Sequence, residues 1–406
     1  MRIGILTFHR SINNGAVMQC FSLTKKLQEL FPKDHVEIID YHMPKVDKFY
    51  SVSYRDYFRV KGLKNILLRA IKLLLDPRKI EWQRMRKRAF EDALEILPLS
   101  KQTFYSDTTE QLFEHINRSY DVVIAGSDAI WNFVMRGYPN PYFLSESIGC
   151  HKLSYAASCY GMNYEDLPEQ QRNSIGKILS TYKFLGIRDD ESESFLRTVG
   201  CTAEAVHTCD PTVFLDIERL PVNVESIKQK LSAKGFQFDR ETIAVMGTEK
   251  MCKMIRRMYG KQYQIVALYN RCRNADVNLY DFNPYEWAYV FRFFKITFTT
   301  FFHGTLLSLR NGVPVLCIAL DTKYSEKHMT KVEDFLRRVG LEDFYFHTDY
   351  KKTNFDQIKQ KASELIAEDY RELILERMNQ EAQTFNAFVT ALTSIKNSEE
   401  GGIEND

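Results

Sequence analysis

An alternation that runs through this chain twice is what most limits its possible folds. Short apolar runs rich in β-branched residues alternate with stretches of helical period. "RIGILTF" leads into "NGAVMQCFSLTKKLQEL", where Val17, Cys20, Phe21, Thr24 and Leu27 recur at helical spacing. "VEIIDY", "DVVIAG" (121–126), "KLSYAAS" (152–158) and "FLGIRD" (184–189) read as further buried strands. "DESESFLRTVG" reads as a helix that stops at Gly200, and "EAVHTCDPTVFL" closes the block. After a charged helical connection over about 216–235, "TIAVMG", "YQIVALYN", "KITFTTFF" and "VPVLCIAL" repeat the pattern. Within this second block "NPYE" predicts a helix start: Asn283 caps, Pro284 takes the first helical position and Glu286 completes a capping box.

Strand–helix alternation in two successive blocks predicts two α/β domains, each with a parallel sheet. Such sheets bind ligands at the carboxyl ends of their strands, so two facing domains make a cleft. The expected organisation is a first domain over 1–215, with a basic helical insert at about 50–100, and a second over 216–345. A polar helical segment over 346–396 is expected to cross back onto the first domain, and the tail 397–406 to be disordered. A chain of 406 residues is too long for one ordinary core, and 44% hydrophobic with 27% charged residues suits two packed domains.

No run of 18 apolar residues occurs, and "MRIGILTFHRS" turns polar too soon for a signal peptide, so a cytoplasmic protein is expected. The eight cysteines contain no C-x-x-C pair and no His/Cys cluster of zinc spacing, which predicts free thiols and no metal.

The net charge of +2 hides an imbalance. Between Arg55 and Arg88 stand twelve Lys/Arg and three Asp/Glu, an excess of +9, and the rest of the chain carries −7. In "LKNILLRAIKLLL" the charges Lys64, Arg69 and Lys72 share one arc of a helical wheel. That pattern suits a helix lying on an anionic membrane surface, or a basic face packed on its own domain. A chain this near neutrality, with no recognition motif, does not read as a nucleic-acid binder.

Four junctions could carry chemistry. "INNGAVMQ" places Asn14 and Gly15 where a strand ends and a helix opens, either as a helix start alone or as a place where a ligand meets free backbone N–H groups. In "AGSDAIWN", Ser127 turns the chain, Asp128 accepts from a sugar hydroxyl or caps a helix, and Trp131 stacks on a sugar or fills the core. In "GIRDDESESF", Arg188 ends a buried strand and needs either an anionic ligand or an internal partner among Asp189, Asp190 and Glu191. In "TTFFHGTLL", His303 precedes Gly304 and Thr305 at a strand-to-helix junction, where the helix dipole attracts an anion. Arg310 follows two turns along that helix.

"NNGAVMQ", "GSDAIWN", "YFL" with "KLSYAAS", "GIRDDES", "CDPTVFL" and "FHGTLLSLRNGVPV" occur in this order over about 320 residues. Together they resemble the polysaccharide pyruvyl transferase family. The resemblance implies a GT-B-like architecture, with two Rossmann-like parallel-sheet domains facing a central cleft. It implies transfer of the pyruvyl group of phosphoenolpyruvate to two hydroxyls of a sugar, forming a ketal during assembly of bacterial surface polysaccharide. No organic cofactor or metal is implied. Arg188 and His303 match the family's donor-binding arginine and the histidine before its helix, which makes them the expected catalytic residues. Gly304, Thr305 and Arg310 join them as donor-binding residues, and Asn14, Gly15, Ser127, Asp128 and Trp131 are the expected acceptor-binding set.

Two positions depart from the pattern. Phe301 stands where many members have arginine, so a cation is missing or relocated, with Arg310, Lys323 and Lys331 as candidates. Ala129 stands where glutamine is usual. A nucleotide-sugar glycosyltransferase on the same scaffold, or a non-catalytic sugar-binding protein of polysaccharide assembly, are the competing readings. The basic insert adds the expectation of a lipid-linked acceptor and of peripheral contact with the inner face of the membrane through residues 55–88.

Overall fold

The structure, a computed structural model, describes residues 1–43, 62–75, 77–105, 109–133, 137–138, 140–320, 329–348 and 355–403. The first half runs β1 (Arg2–Leu6), α1 (Asn14–Leu30), β2 (His35–His42), α2 (Leu63–Leu75), α3 (Lys79–Leu94), β3 (Leu99–Tyr105), α4 (Thr109–Ser119) and β4 (Val122–Asp128). It continues with β5 (His151–Ala157), α5 (Glu169–Leu179), β6 (Phe184–Ile187), α6 (Asp190–Thr198) and β7 (Ala205–His207). The second half runs α7 (Val224–Ala233), β8 (Thr242–Met246), α8 (Glu249–Tyr259), β9 (Gln264–Leu268), β10 (Val277–Leu279), α9 (Pro284–Val290) and β11 (Ile296–Thr299). Then come α10 (Phe302–Arg310), β12 (Val315–Leu320), α11 (Lys331–Arg338) and β13 (Tyr345–Thr348). Three helices close the chain: α12 (Phe355–Ala367), α13 (Arg371–Ala382) and α14 (Phe385–Ile403).

Among the described residues, seven strands form one sheet in the order β3-β2-β1-β4-β5-β6-β7, and six form another in the order β10-β9-β8-β11-β12-β13. Every pairing is parallel. Parallel sheets are covered on both faces, which explains why strands such as β8 and β9 are buried at every residue and read as unbroken apolar runs. The chain is therefore α/β with two Rossmann-like sheets. In each, the strand order reverses at one place, between β1 and β4 and between β8 and β11. Those reversals open crevices at the strands' carboxyl ends.

Local signals explain several elements. Asn283 caps α9 by accepting from the backbone of Tyr285 and Glu286, and Glu286 accepts from the Asn283 N–H, so the capping box forms. Gly200 follows α6 at φ +70°, a left-handed position that glycine occupies without steric cost. The strands that the alternation does not predict, β3, β7, β10 and β13, are each outermost in their sheet. An edge strand has one neighbour, and β3 buries only Ser100 and Phe104 of its seven residues. Its apolar signal is correspondingly thin.

The sheets share a core. Val17, Met18 and Phe21 of α1 and Phe90, Ala93 and Leu97 around α3 pack with Tyr285, Trp287 and Phe291 from the second half. Tyr285 donates its hydroxyl to the Ala93 carbonyl at 3.0 Å. The insert's α3 is thus a wedge between the domains. Residues 44–61 of the basic region lie outside the described residues.

The C-terminal helix crosses back to the first sheet: Phe388 meets Tyr155 at 4.9 Å and Phe184 at 5.5 Å, and Lys396 bridges Asp34 at 2.7 Å. Of the tail expected from residue 397, residues 397–403 continue this helix and 404–406 lie outside the described residues. Helix α14, anchored by buried Phe385, Phe388 and Leu392, propagates to Ile403, and Glu399 stands 3.4 Å from His151. Among the described residues no helix is long and apolar enough to cross a membrane.

Candidate active site

The two crevices face each other, and two helix starts meet there. Helix α1 opens after β1 and α10 opens after β11. They touch through Gly15 and His303: a Cβ built on Gly15 would fall 2.0 Å from His303 Nδ1. Only glycine leaves room for that ring. Asn13 caps α1 by accepting from the Gly15 N–H at 3.0 Å. Helix α10 has no side-chain cap, because Phe301 occupies that position. Its first N–H groups therefore remain available to an anion.

Asp210 organises the centre. It precedes the 3-10 turn Pro211–Phe214, and its Oδ1 accepts from the Thr212 N–H at 3.0 Å and the Thr212 hydroxyl at 2.7 Å. This leaves Oδ2 for three other groups. Arg188 donates to it at 2.9 Å, Gln19 donates to it from α1, and His303 Nε2 lies 3.7 Å away. Arg188 also donates to Asp128 Oδ1 at 3.3 Å and stands 4.8 Å from the centre of the Phe302 ring. Burial acts against ionisation of Asp210, but His303, Arg188 and Thr212 outweigh it and hold the carboxyl well below the usual range. At Asp128 burial is likewise outweighed, by the charges of Arg188, Lys331 and His303. Both acids are therefore carboxylates at neutral pH, and the guanidinium is matched by two of them.

The cluster keeps unspent hydrogen-bonding capacity. Asn14 Oδ1, Ser127 Oγ, Arg188 Nε and His303 Nε2 are buried with no hydrogen-bond partner among the described residues. Orphaned groups of this kind are costly unless something binds them, and they sit at the strand ends and helix starts around the two crevices.

The structure thus brings together Gly15, Asp128, Arg188 and His303, with Asn14 at the start of α1 and Ser127 at the end of β4 beside them. It separates others. Trp131 is fully buried between Phe143 and Phe195, so its ring fills the first domain's core and offers no face to a sugar. Arg310 lies two turns down α10, roughly 10 Å along the axis, and donates to the Leu215 carbonyl at 2.5 Å and to Asn379. It lines a separate cavity with Lys25, Lys26 and Asp216, away from His303. Gly304 faces inward, where a Cβ would meet Met246 Sδ at 2.6 Å and Thr299 Oγ1 at 2.7 Å; the glycine serves helix–strand packing. Thr305 is fully buried and bonds back to the Phe301 carbonyl at 3.2 Å. Gly15 makes room for His303.

The partners of Arg188 also differ from those nearest in sequence. Asp189 caps α6 and accepts from the Ser158 hydroxyl, leaving it 4.0 Å from Arg188 Nε. Asp210 and Gln19 complete this cluster, and the sequence analysis singles out neither. Both lie inside quoted motifs, "CDPTVFL" and "NNGAVMQ". The only available signal was an acid before proline directly after the last strand of the block. Lys323 lies outside the described residues. Lys331 is described, and it stands over Phe302 at 5.3 Å and Tyr160 at 5.4 Å. Phe301 packs on Tyr269 at 5.4 Å, an aromatic contact that takes the place of a cation. Among the described residues, no group of three or more His, Cys, Asp or Glu is arranged to hold a metal ion.

Comparisons with known proteins agree with this architecture. The structure resembles UDP-GlcNAc 2-epimerase from Neisseria meningitidis bound to UDP-GlcNAc, with TM-score 0.50 and 12% identity, over 97% of this chain and 100% of that one. A putative UDP-N-acetylglucosamine 2-epimerase from Listeria monocytogenes gives TM-score 0.52 at 11% identity, over 97% and 96%. The UDP-GlcNAc 2-epimerase from Methanocaldococcus jannaschii gives 0.51 at 9% identity, over 91% and 93%. At these identities the likeness shows the fold alone, two Rossmann-like domains of GT-B type. No curated protein sequence matches. A family model described as polysaccharide pyruvyl transferase matches residues 13–322, a span that holds both crevices, and the chain belongs to that family of transferases.

Proposed function

We propose that this transferase moves the pyruvyl group of phosphoenolpyruvate onto two hydroxyls of one sugar, on a lipid-linked intermediate of bacterial surface polysaccharide. The observation that carries the reading is the meeting of Arg188, Asp210, Asp128 and His303 where the two crevices face each other. The donor brings a carboxylate and a phosphate, and the reaction needs cations for both, proton transfer at carbon and bases for two hydroxyls. In this reading the uncapped start of α10 and the Arg188 guanidinium receive the anionic groups. A proton reaches the methylene carbon of the donor as the first sugar hydroxyl forms its bond to C2. The second hydroxyl then forms the other C–O bond as the bond from C2 to the phosphate oxygen breaks. His303 passes protons between these oxygens and the carbon, and Asp210 holds its ring in place. A positioned acid–base group contributes roughly 10²–10⁴-fold.

The lipid-linked acceptor is supported by α2. Leu63, Leu67 and Leu74 are 85%, 62% and 79% exposed, and Ile66, Leu68 and Ile71 are exposed with them. Leu63, Leu67 and Leu74 fall within an arc of about 40° at helical spacing. An apolar stripe in a segment with an excess of +9 suits an anionic lipid surface, with the apolar residues entering the headgroup boundary.

The test is release of phosphate from phosphoenolpyruvate, with thermal stabilisation by candidate donors measured in parallel. The reading predicts release that depends on a sugar acceptor, and stabilisation by phosphoenolpyruvate and not by nucleotide sugars. Stabilisation by nucleotide sugars alone contradicts it.

A further inference from the structure

Helices α1 and α10 both lead from the active cluster to a second cavity. Gln19 and Lys26 stand seven residues apart on α1, and His303 and Arg310 stand seven apart on α10. Each pair therefore shares a helix face over two turns, about 10 Å. At one end Gln19 and His303 face Asp210. At the other, Lys26 and Arg310 line a cavity of about 520 Å³. Leu215 and Asp216, which follow the Pro211–Phe214 turn into the connection between the domains, line it as well. Asp210 opens that same turn.

The charges of this cavity are not balanced. Lys25, Lys26, Arg219 and Arg310 line it against only two acids, Glu29 and Asp216. One cation already engages both acids: Arg219 stands 3.4 Å from Glu29 and 3.3 Å from Asp216. Among the described residues no carboxylate lies within 4.0 Å of Lys25, Lys26 or Arg310. Arg310 donates Nε to the Leu215 carbonyl and one terminal nitrogen to Asn379, and its other terminal nitrogen has no partner among the described residues. Burial acts against its charge, and Asp216 offsets this only in part. A bound anion would relieve that cost. Phe214 and Leu215 add apolar lining, and the volume falls in the range of small-molecule sites. A guanidinium and two ammonium groups, drawn from two domains, thus converge on space large enough for a ligand.

We infer that this cavity is a second ligand site, separate from the cleft, which takes an anion bearing a phosphate or diphosphate group. Lys25 and Lys26 of the first domain and Arg310 of the second meet that group together. The ligand thereby braces the two domains behind the contact between Gly15 and His303. The site stands apart from the pyruvyl-transfer reading and does not depend on it.

The test titrates inorganic phosphate, diphosphate and ADP by calorimetry into the wild type, into the double variant Lys25→Ala with Lys26→Ala, and into His303→Ala. Alanine favours a helix at both lysine positions, so the double variant is expected to fold. Loss of the charge-assisted contacts predicts binding weakened roughly 10–100-fold in it. His303→Ala, altered only in the cleft, is expected to keep the affinity within about threefold. Lys250→Ala with Lys253→Ala removes two exposed lysines of α8 and is expected to bind as the wild type does, which controls for loss of charge in general. Turnover without added anion is expected to be unchanged in Lys25→Ala with Lys26→Ala. Tighter binding of ADP than of diphosphate would show that the organic part also enters the cavity, and equal binding that the phosphates alone are recognised; either result, if it depends on the two lysines, supports the site. Absence of binding of all three probes to the wild type overturns the inference. So does binding that persists undiminished without the two lysines, or that is lost in His303→Ala.

Discussion

The interdomain cleft and the insert helix α2 treat charge and apolar surface in opposite ways. In the cleft, Arg188, Asp210 and Asp128 are withdrawn from water and paired with one another, around a histidine held against the first turn of a helix. On α2 Leu63, Leu67 and Leu74 are turned outward, in the most basic stretch of the chain. Buried matched charge fixes geometry for chemistry, whereas exposed unmatched apolar surface beside basic residues invites attachment. Helix α3 joins the two regions. Its Arg86 donates to the Tyr269 carbonyl at 3.3 Å and stands 3.8 Å from the Tyr269 ring, and Tyr269 packs on Phe301 at the head of α10.

The sharpest way to break this comparison is to unmatch the cleft. Arg188→Ala leaves two buried carboxylates without their cation and is expected to cost roughly 3–5 kcal/mol of stability, read by urea unfolding. Unchanged stability would mean that the cluster is not the buried network described. The same cluster sets an acid limit. Asp210 and Asp128 have folded-state pKa values below their unfolded ones, so their contribution is complete above the unfolded value of about 3.9 and is lost as pH falls toward the folded values. Unfolding free energy is expected to fall steeply below about pH 4, and less steeply in Asp128→Asn.

A smaller change tests the contact between domains. Gly15→Ala ordinarily favours a helix by about 1 kcal/mol. Here the new methyl falls on the His303 ring, and the displacement is expected to lower turnover roughly 10²-fold, measured as kcat with stability followed alongside. A stabilised, fully active variant would show that His303 need not sit where it does. The smallest effect on chemistry belongs to the insert. Leu67→Asp with Leu74→Asp is expected to abolish sedimentation with anionic liposomes while leaving turnover of a water-soluble acceptor unchanged. Undiminished liposome binding would remove the attachment role.

Much of this architecture is legible from residue pattern, because central parallel strands are buried on both faces and read as apolar runs. The edge strands β3, β7, β10 and β13 are not, since one side of each lacks a partner and their composition is mixed. The site is legible only in part for a related reason. Sequence places His303, Arg188 and Asp128 at strand ends, but it does not say which distant acid completes each one. Asp210 is invisible as a hub because its role depends on a 3-10 turn consuming one carboxylate oxygen and freeing the other. Trp131 stands three residues beyond β4, where neighbouring side chains alternate between cleft and core, and only packing against Phe143 and Phe195 decides its side. Gly15 reads as a helix start or an opening for ligand, and only the fold shows that His303 packs against it.

The central claim is that His303 handles protons in a pyruvyl transfer carried out in this cleft. Phosphate released from phosphoenolpyruvate in the presence of a sugar acceptor, compared between the wild type and His303→Ala, tests it most directly. The account predicts acceptor-dependent release by the wild type, and a loss of roughly 10²–10⁴-fold in the variant with near-native stability. Equal release by both proteins would contradict it.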